Sequence, residues 1–243
     1  MDLFGRYQRK GRHARYSSSV QAAYDQASSP YKLAAPRIAA SLDELPLSVL
    51  CDPDRGTLEA VEFCGLHAAE TSFAELEVSS SRFSNCQFLS CDFTGALFID
   101  IAFKGCDFSN SIFDNAAFTR CTFNDCKFAG ASFTEALWEQ MAAKDCTFAY
   151  GAFNRCLWKI VRAHTCDFSS ADMTEMELHG ISLADDRFVG TSFFRTKLVG
   201  LDFTSCQLEG IAISDAMTEV YGAKLGLYQA AALARRLGVI IEE

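Results

Sequence analysis

The sequence predicts an all-β solenoid, a square coil built from five-residue sides, and three observations predict it. First, every position whose number ends in 3 or 8 from Leu58 to Ile213 is apolar. There are 32 such positions, and they hold 19 of the 21 phenylalanines and both tryptophans, Trp138 and Trp158. Second, the position two residues earlier is mostly small from Ser81 onward, and nine of the eleven cysteines fall in it between Cys86 and Cys206. Third, the columns flanking the phenylalanines are polar, as in Asp92 and Thr94, Asp107 and Ser109, Thr122 and Asn124. An α-helix needs an apolar period of 3.6 and a strand a period of 2, so neither accounts for a period of five.

A period of five with two inward positions describes a chain that turns a corner every five residues. Four sides close a coil of about 20 residues, and coils stack at the strand spacing of about 4.8 Å. The 156 residues in register give about eight coils and a rod of roughly 35–40 Å. Each side can be read separately. One is a ladder of Phe88, Phe108, Phe128, Phe148, Phe168, Phe188 and Leu208. Another, Phe98, Phe118, Trp138, Trp158, Leu178, Leu198, changes in adjacent pairs, as stacked residues of matched size should. A third includes Ala143 and Ala163, whose neighbours two residues earlier, Met141 and Val161, are bulky. That exchange keeps the summed volume near constant, as a close-packed interior requires.

Units such as Cys121-Thr122-Phe123-Asn124-Asp125 and Ala131-Ser132-Phe133-Thr134-Glu135 resemble the motif of the pentapeptide-repeat family. The resemblance implies a right-handed quadrilateral β-helix over about two thirds of the chain. Three regions follow: a basic extension over 1–50, partly flexible and able to cap the first coil; the β-helix over 51–215; and a C-terminal capping or dimerisation segment over 216–243. Residues up to about 40 are expected to be loosely attached.

A solenoid must cover its open ends. Residues 226–238 read as a helix, with apolar Leu227, Ala230, Leu233, Ala234 and Leu237, cations Arg235 and Arg236 in the last turn, and Gly238 as the stop. Twelve or so residues are marginal as an isolated helix, so this one packs either on the last coil or on a second copy. The stretch Tyr228-Gln229-Ala230, Leu233, Arg236-Leu237-Gly238-Val239-Ile240 is similar to the C-terminus of Qnr-type pentapeptide proteins. In those and in the MfpA type, a C-terminal helical segment joins two rods end to end. The resemblance therefore assigns Leu227, Tyr228, Ala230, Leu233, Ala234, Leu237, Val239 and Ile240 to a homodimer contact.

Charge divides unevenly. Residues 1–50 carry seven Lys/Arg against four acids, while 51–243 carry 15 against 27. An acidic body repels nucleic acid and favours basic partners; the basic head reads most simply as a solvated tail. No apolar run is long enough for a membrane span, and the start lacks the pattern of a secretory signal, so the expected location is cytoplasmic.

Catalytic, cofactor and metal sites are not expected. Phosphate loops, nucleophile elbows and paired zinc-binding histidines are missing from the sequence, and His13, His67, His164 and His179 are scattered, the last three predicted to face solvent. Cys86/Cys91 and Cys121/Cys126 are five residues apart, on adjacent sides of the square, a poor arrangement for zinc, and free Cys packs as a small hydrophobe. Asp186 is the one carboxylate in the small inward column and marks either a distorted coil or a hydrogen-bonded corner.

A stiff rod about as wide as a duplex, with regularly spaced outward acids, suits imitation of DNA. The candidate acids are Asp92, Asp107, Asp114, Asp125, Glu135, Asp145, Asp167, Asp172, Glu175 and Asp202. The family resemblance implies a partner, the type II topoisomerases gyrase and topoisomerase IV, and protection of it from quinolones or a natural poison. Many Qnr proteins have loops that interrupt the repeat; here the register is unbroken, as in the MfpA type. The alternative is an interaction scaffold or effector module with an unrelated partner.

Overall fold

The computed structural model describes residues 32–52 and 56–242. It is a right-handed quadrilateral β-helix with one longer helix at its end. We number its sides by their central residues. Side I carries Leu58 and every twentieth residue after it, side II Phe63, side III Ala68 and side IV Phe73. Short parallel strands stack in register, so that Phe118 pairs with Phe98 and Trp138 on side I, and Phe123 with Phe103 and Ala143 on side II. Backbone hydrogen bonds run along the axis between coils, as from Phe93 N–H to Ile112 O at 2.7 Å. The coil direction satisfies the obligatory backbone groups that burial would otherwise strand.

The corners explain why the chain can bend every five residues. Each position ending in 0 or 5 from Ala60 to Gly210, Ser205 excepted, has a positive φ. Eight of these are glycine, and asparagine and aspartate recur, as the left-handed region favours. Ile160 is the costly member: a β-branched residue at φ 56°. On side IV the turn is closed by a bond such as Ala116 N–H to Phe113 O, 3.0 Å.

Aromatic rings fill the axis. Along side III, Phe108, Phe128, Phe148 and Phe168 stack at 5.0–5.1 Å. Trp138 lies on Trp158 at 4.8 Å with planes 7° apart. Opposite the small Ala143 and Ala163, Met141 and Val161 are fully buried as expected. The indole of Trp138 contributes as well, reaching Phe123 on side II and Phe148 on side III, both at 5.6 Å. The volume exchange therefore involves the tryptophans in addition to the small column. Filling the space with indole leaves both Nε1–H groups without a partner among the described residues.

About seven turns stack, one fewer than the spacing predicts. The coil of 197–213 remains bonded to its predecessor backbone to backbone on sides III and IV, while sides I and II are joined only by side-chain bonds at their ends, Met176 N–H to Thr196 Oγ1 at 2.9 Å and Asp185 N–H to Ser205 Oγ at 3.2 Å. Phe193 N–H bonds Ala212 O at 2.8 Å, and Gln207 N–H bonds Asp186 O at 2.9 Å. No such bond joins 177–185 to 197–204 among the described residues.

Of the N-terminal region, residues 1–31 lie outside the described residues, and with them Arg6, Arg9, Lys10, Arg12, Arg15 and His13. Loose attachment as far as residue 40 does not hold. Residues 33–40 form an extended strap along the edge between sides I and II, with Leu33 and Ile38 buried. Ala39 N–H bonds Ser80 O at 3.1 Å, Arg37 N–H bonds Asp100 Oδ1 at 3.0 Å, and Ala34 N–H bonds Gln140 Oε1 at 3.2 Å. A short strand, Asp43–Glu44, then pairs with Val61–Glu62, and helix α1, Leu47–Leu50, buries Leu50 on the first coil.

At the other end, helix α2 spans Leu227–Arg236. Its Gln229 amide donates to Phe203 O and Cys206 O at 2.8 and 2.7 Å, and Arg236 Nη1 donates to Ile211 O at 2.8 Å. These bonds satisfy carbonyls of the last coil that have no further coil to meet. Gly238 takes φ 80°, as a helix stop requires.

Candidate binding surfaces

The sides differ in charge because the polar columns differ. Side IV with its corner carries seven acids, Glu75, Asp92, Asp114, Glu135, Asp172, Glu175 and Asp215, against Arg155 and Arg195. Side II, opposite, carries five acids against four Lys/Arg. Five of the ten candidate acids, Asp92, Asp114, Glu135, Asp172 and Glu175, therefore share side IV. Asp107 and Asp167 lie on side III, and Asp125, Asp145 and Asp202 on side II.

Their settings separate them further. Asp92, Asp107, Asp114, Asp167 and Asp172 are half-buried; all but Asp114 accept bonds from their own turns. Asp92 Oδ1 accepts Thr94 N–H at 2.9 Å and its hydroxyl at 2.6 Å; Asp107 does the same for Ser109. Asp167 accepts Ser169 N–H at 2.8 Å, Asp172 accepts Thr174 N–H at 3.1 Å, and Asp114 accepts Thr134 N–H from the next coil at 3.0 Å. The second oxygen of Asp172 also accepts, from the Asn154 amide at 2.7 Å, so turn-making and partly exposed charge reside in the same carboxylates.

The exposed acids are mostly paired. Arg155 reaches Glu135 at 2.7 Å and Arg195 reaches Glu175 at 2.9 Å, one coil apart in each case. Lys144 lies 3.7 Å from Asp145, and Lys224 3.6 Å from Asp202. Exposed pairs of this kind contribute little, about 0–1 kcal/mol. The Thr204 hydroxyl and N–H hold the Asp202 carboxyl below its usual range, with Lys224 adding to the effect. Asp125 and Asp145 stack on the corner between sides II and III beside a shallow depression of about 430 Å³ that includes Cys126, Lys127 and Cys146.

Asp186 proves to be a hydrogen-bonded corner. Its Oδ1 accepts Cys166 N–H at 2.8 Å and its Oδ2 accepts Ala184 N–H at 3.1 Å. In the same column position Ser111 takes the N–H of Cys91, and Thr196 that of Met176, one coil below. A polar residue here answers the amide twenty residues earlier. Burial pushes the Asp186 carboxyl up to about 7, against the two N–H donors.

All eleven cysteines are free, and nine are buried. Burial pushes the Cys121 and Cys156 thiols up to about 12, far from the low values of reactive cysteines. His67, His164 and His179 are exposed, as expected. Among the described residues no group of three or more His, Cys, Asp or Glu converges as a metal site, and no helix is long and apolar enough to cross a membrane.

On α2 and the residues just after it, the candidate dimer residues divide by exposure. Leu227, Tyr228, Leu237 and Ile240 are 65–89% exposed, and Ala230 and Val239 are also exposed. Leu233 and Ala234 are half-buried, with Leu233 packed against the core.

The fold and these surfaces define a class: a β-solenoid that presents outward columns of polar side chains on a rigid aromatic axis. Part of this coil carries pentapeptide repeats. Residues 83–127 match the family model described as pentapeptide repeats (9 copies), and the same register runs on either side of that match. No curated protein matches. Among solved structures, a trypsin-treated form of QnrB1, a plasmid-mediated fluoroquinolone resistance protein, aligns at a TM-score of 0.48 and 20% identity, covering 84% of this chain and 100% of that one. HetL, a pentapeptide repeat protein involved in heterocyst differentiation regulation from the cyanobacterium Nostoc sp. strain PCC 7120, aligns at 0.27 and 10% identity, covering 70% and 90%.

Proposed function

We propose that this protein is a non-catalytic rod that binds a type II DNA topoisomerase through acid-rich side IV, occupies its DNA groove and protects it from quinolones or a natural poison. The observation that carries the reading is the concentration of seven acids against two arginines on one side of a rod roughly 35 Å long. That is about one acid per 5 Å, against one phosphate per about 3.4 Å along a DNA strand. The choice of topoisomerase follows the C-terminal similarity to Qnr-type proteins. Leu227, Tyr228, Leu237 and Ile240, outward on the cap, would join two copies end to end and double the acidic track.

The test is a supercoiling assay with purified gyrase or topoisomerase IV and a quinolone. Rescue of supercoiling by the protein is expected, and its loss on Asp92→Lys with Asp172→Lys. Glu135→Gln should matter less, because Arg155 already pairs that acid. Absence of both rescue and binding at low salt would leave the scaffold reading with an unrelated partner.

A further inference from the structure

The seam between 177–185 and 197–204 is the one place in the described stack where two sides of a coil lack their backbone axial bonds; only the last amide, Asp185 N–H, reaches across, to Ser205 Oγ at 3.2 Å. Between the first coil and the seam, the strands of sides I and II bond the coils on both flanks, as Trp158 pairs with both Trp138 and Leu178. The strands Glu177–His179 and Ser182–Ala184 pair only with the coil before them. The next coil turns to the cap instead: Leu198 N–H bonds Glu219 O and Gly200 N–H bonds Gly222 O, both at 2.9 Å. The core residues Leu178, Ile181 and Leu183 are half-buried here, whereas nearly all their counterparts in other coils are buried. A change of turn form does not explain the seam, since side III makes a similar change between 87–90 and 107–110 and keeps its bonds.

We propose that this seam is a strand-binding site, and that its occupant is the chain's own segment ahead of Lys32, drawn from residues 16–29. A strand edge without backbone partners above half-buried apolar side chains is a template for an extended segment. The strap shows which segment is delivered there. It runs along the same edge, from Ala39 at Ser80 through Arg37 at Asp100 to Ala34 at Gln140. It thus ascends toward the seam as it is followed back to the N-terminus. Gly180 lies two coils beyond Gln140, about 10 Å at the strand spacing, which about three extended residues cover. Residues 16–29 are long enough for the nine positions of the edge. They contain no Lys or Arg, one acid (Asp25), and Val20 and Tyr24 as apolar contacts. The basic cluster Arg6–Arg15 precedes them in the sequence.

The experiment is hydrogen–deuterium exchange on the full chain carrying a site-specific protease sequence between Tyr31 and Lys32, before cutting and after cutting and removing the fragment. Amides of 178–185 should exchange at least about tenfold slower before cutting, while 137–144 and 157–164 do not change. A peptide of residues 16–29 added afterwards should restore the protection. Fast exchange of the seam in the uncut chain would overturn the proposal, and so would slow exchange that persists once the fragment is gone.

Discussion

At Asp186, one position holds two demands that oppose each other. The amides of Cys166 and Ala184 need an acceptor, and full burial disfavours the charge that would accept best. Its folded-state value of about 7 lies above the ordinary 3.8, so the folded chain holds a proton the unfolded chain has lost. This contribution to stability is therefore complete below about pH 4 and is lost as pH rises toward 7, at most about 4 kcal/mol by linkage. Asp186→Cys, which restores the residue type of Cys166 and Cys206, should raise the melting temperature at pH 8, with the gain shrinking toward pH 4. A gain that does not vary with pH would show that burial of charge is not the cause. Ile160 presents a backbone conflict instead. Ile160→Asn relieves a β-branched residue in the left-handed region and should stabilise the chain by about 1 kcal/mol in urea unfolding.

Helix α2 is both a lid and a candidate interface, and its two faces allow the roles to be separated. Gln229 and Arg236 satisfy the last coil's carbonyls, so Gln229→Ala should cost about 1–3 kcal/mol without changing oligomeric state. Leu237 is 65% exposed, so Leu237→Asp should leave the unfolding midpoint of a dilute sample unchanged and convert a dimer to a monomer in light scattering. A parent protein that is monomeric at high concentration would remove the end-to-end contact. The strap behaves as an element of the same kind: its buried Leu33 and Ile38 bind it to the rod despite the basic composition of the region.

At the scale of the molecule, the contrast between sides IV and II gives the rod an electrostatic direction. Partner binding through side IV should weaken steeply as salt rises from about 50 to 200 mM, because the charges are exposed and screened over about 10 Å. DNA should compete with the protein for the partner's groove, and binding that ignores both salt and DNA would point to the apolar cap. Asp92 and Asp172 also hold turns, so Asp92→Lys or Asp172→Lys must be checked for unchanged circular dichroism before a binding loss is assigned to charge.

The periodic part of this architecture was legible in the chain itself. A ring every fifth residue has one compact solution, so the square coil, its inward columns and the outward histidines all follow from local repetition. The corner signal was present too: glycine, asparagine and aspartate recur at positions ending in 0 and 5, although Ile160, Tyr150 and Arg155 in the same column obscure it. What repetition cannot specify is how non-repeating segments meet the rod. The strap along sides I and II, the bonds of Gln229 and Arg236 to the last coil, and the seam after Ala184 join residues far apart in sequence. Which acids are paired and which are turn-bound was settled likewise, since each partner lies a coil away or in a turn whose closure the residue types alone do not state. Local sequence determined the coil because every repeat enforces the same packing; tertiary structure alone decided the ends and surfaces, where each contact occurs once.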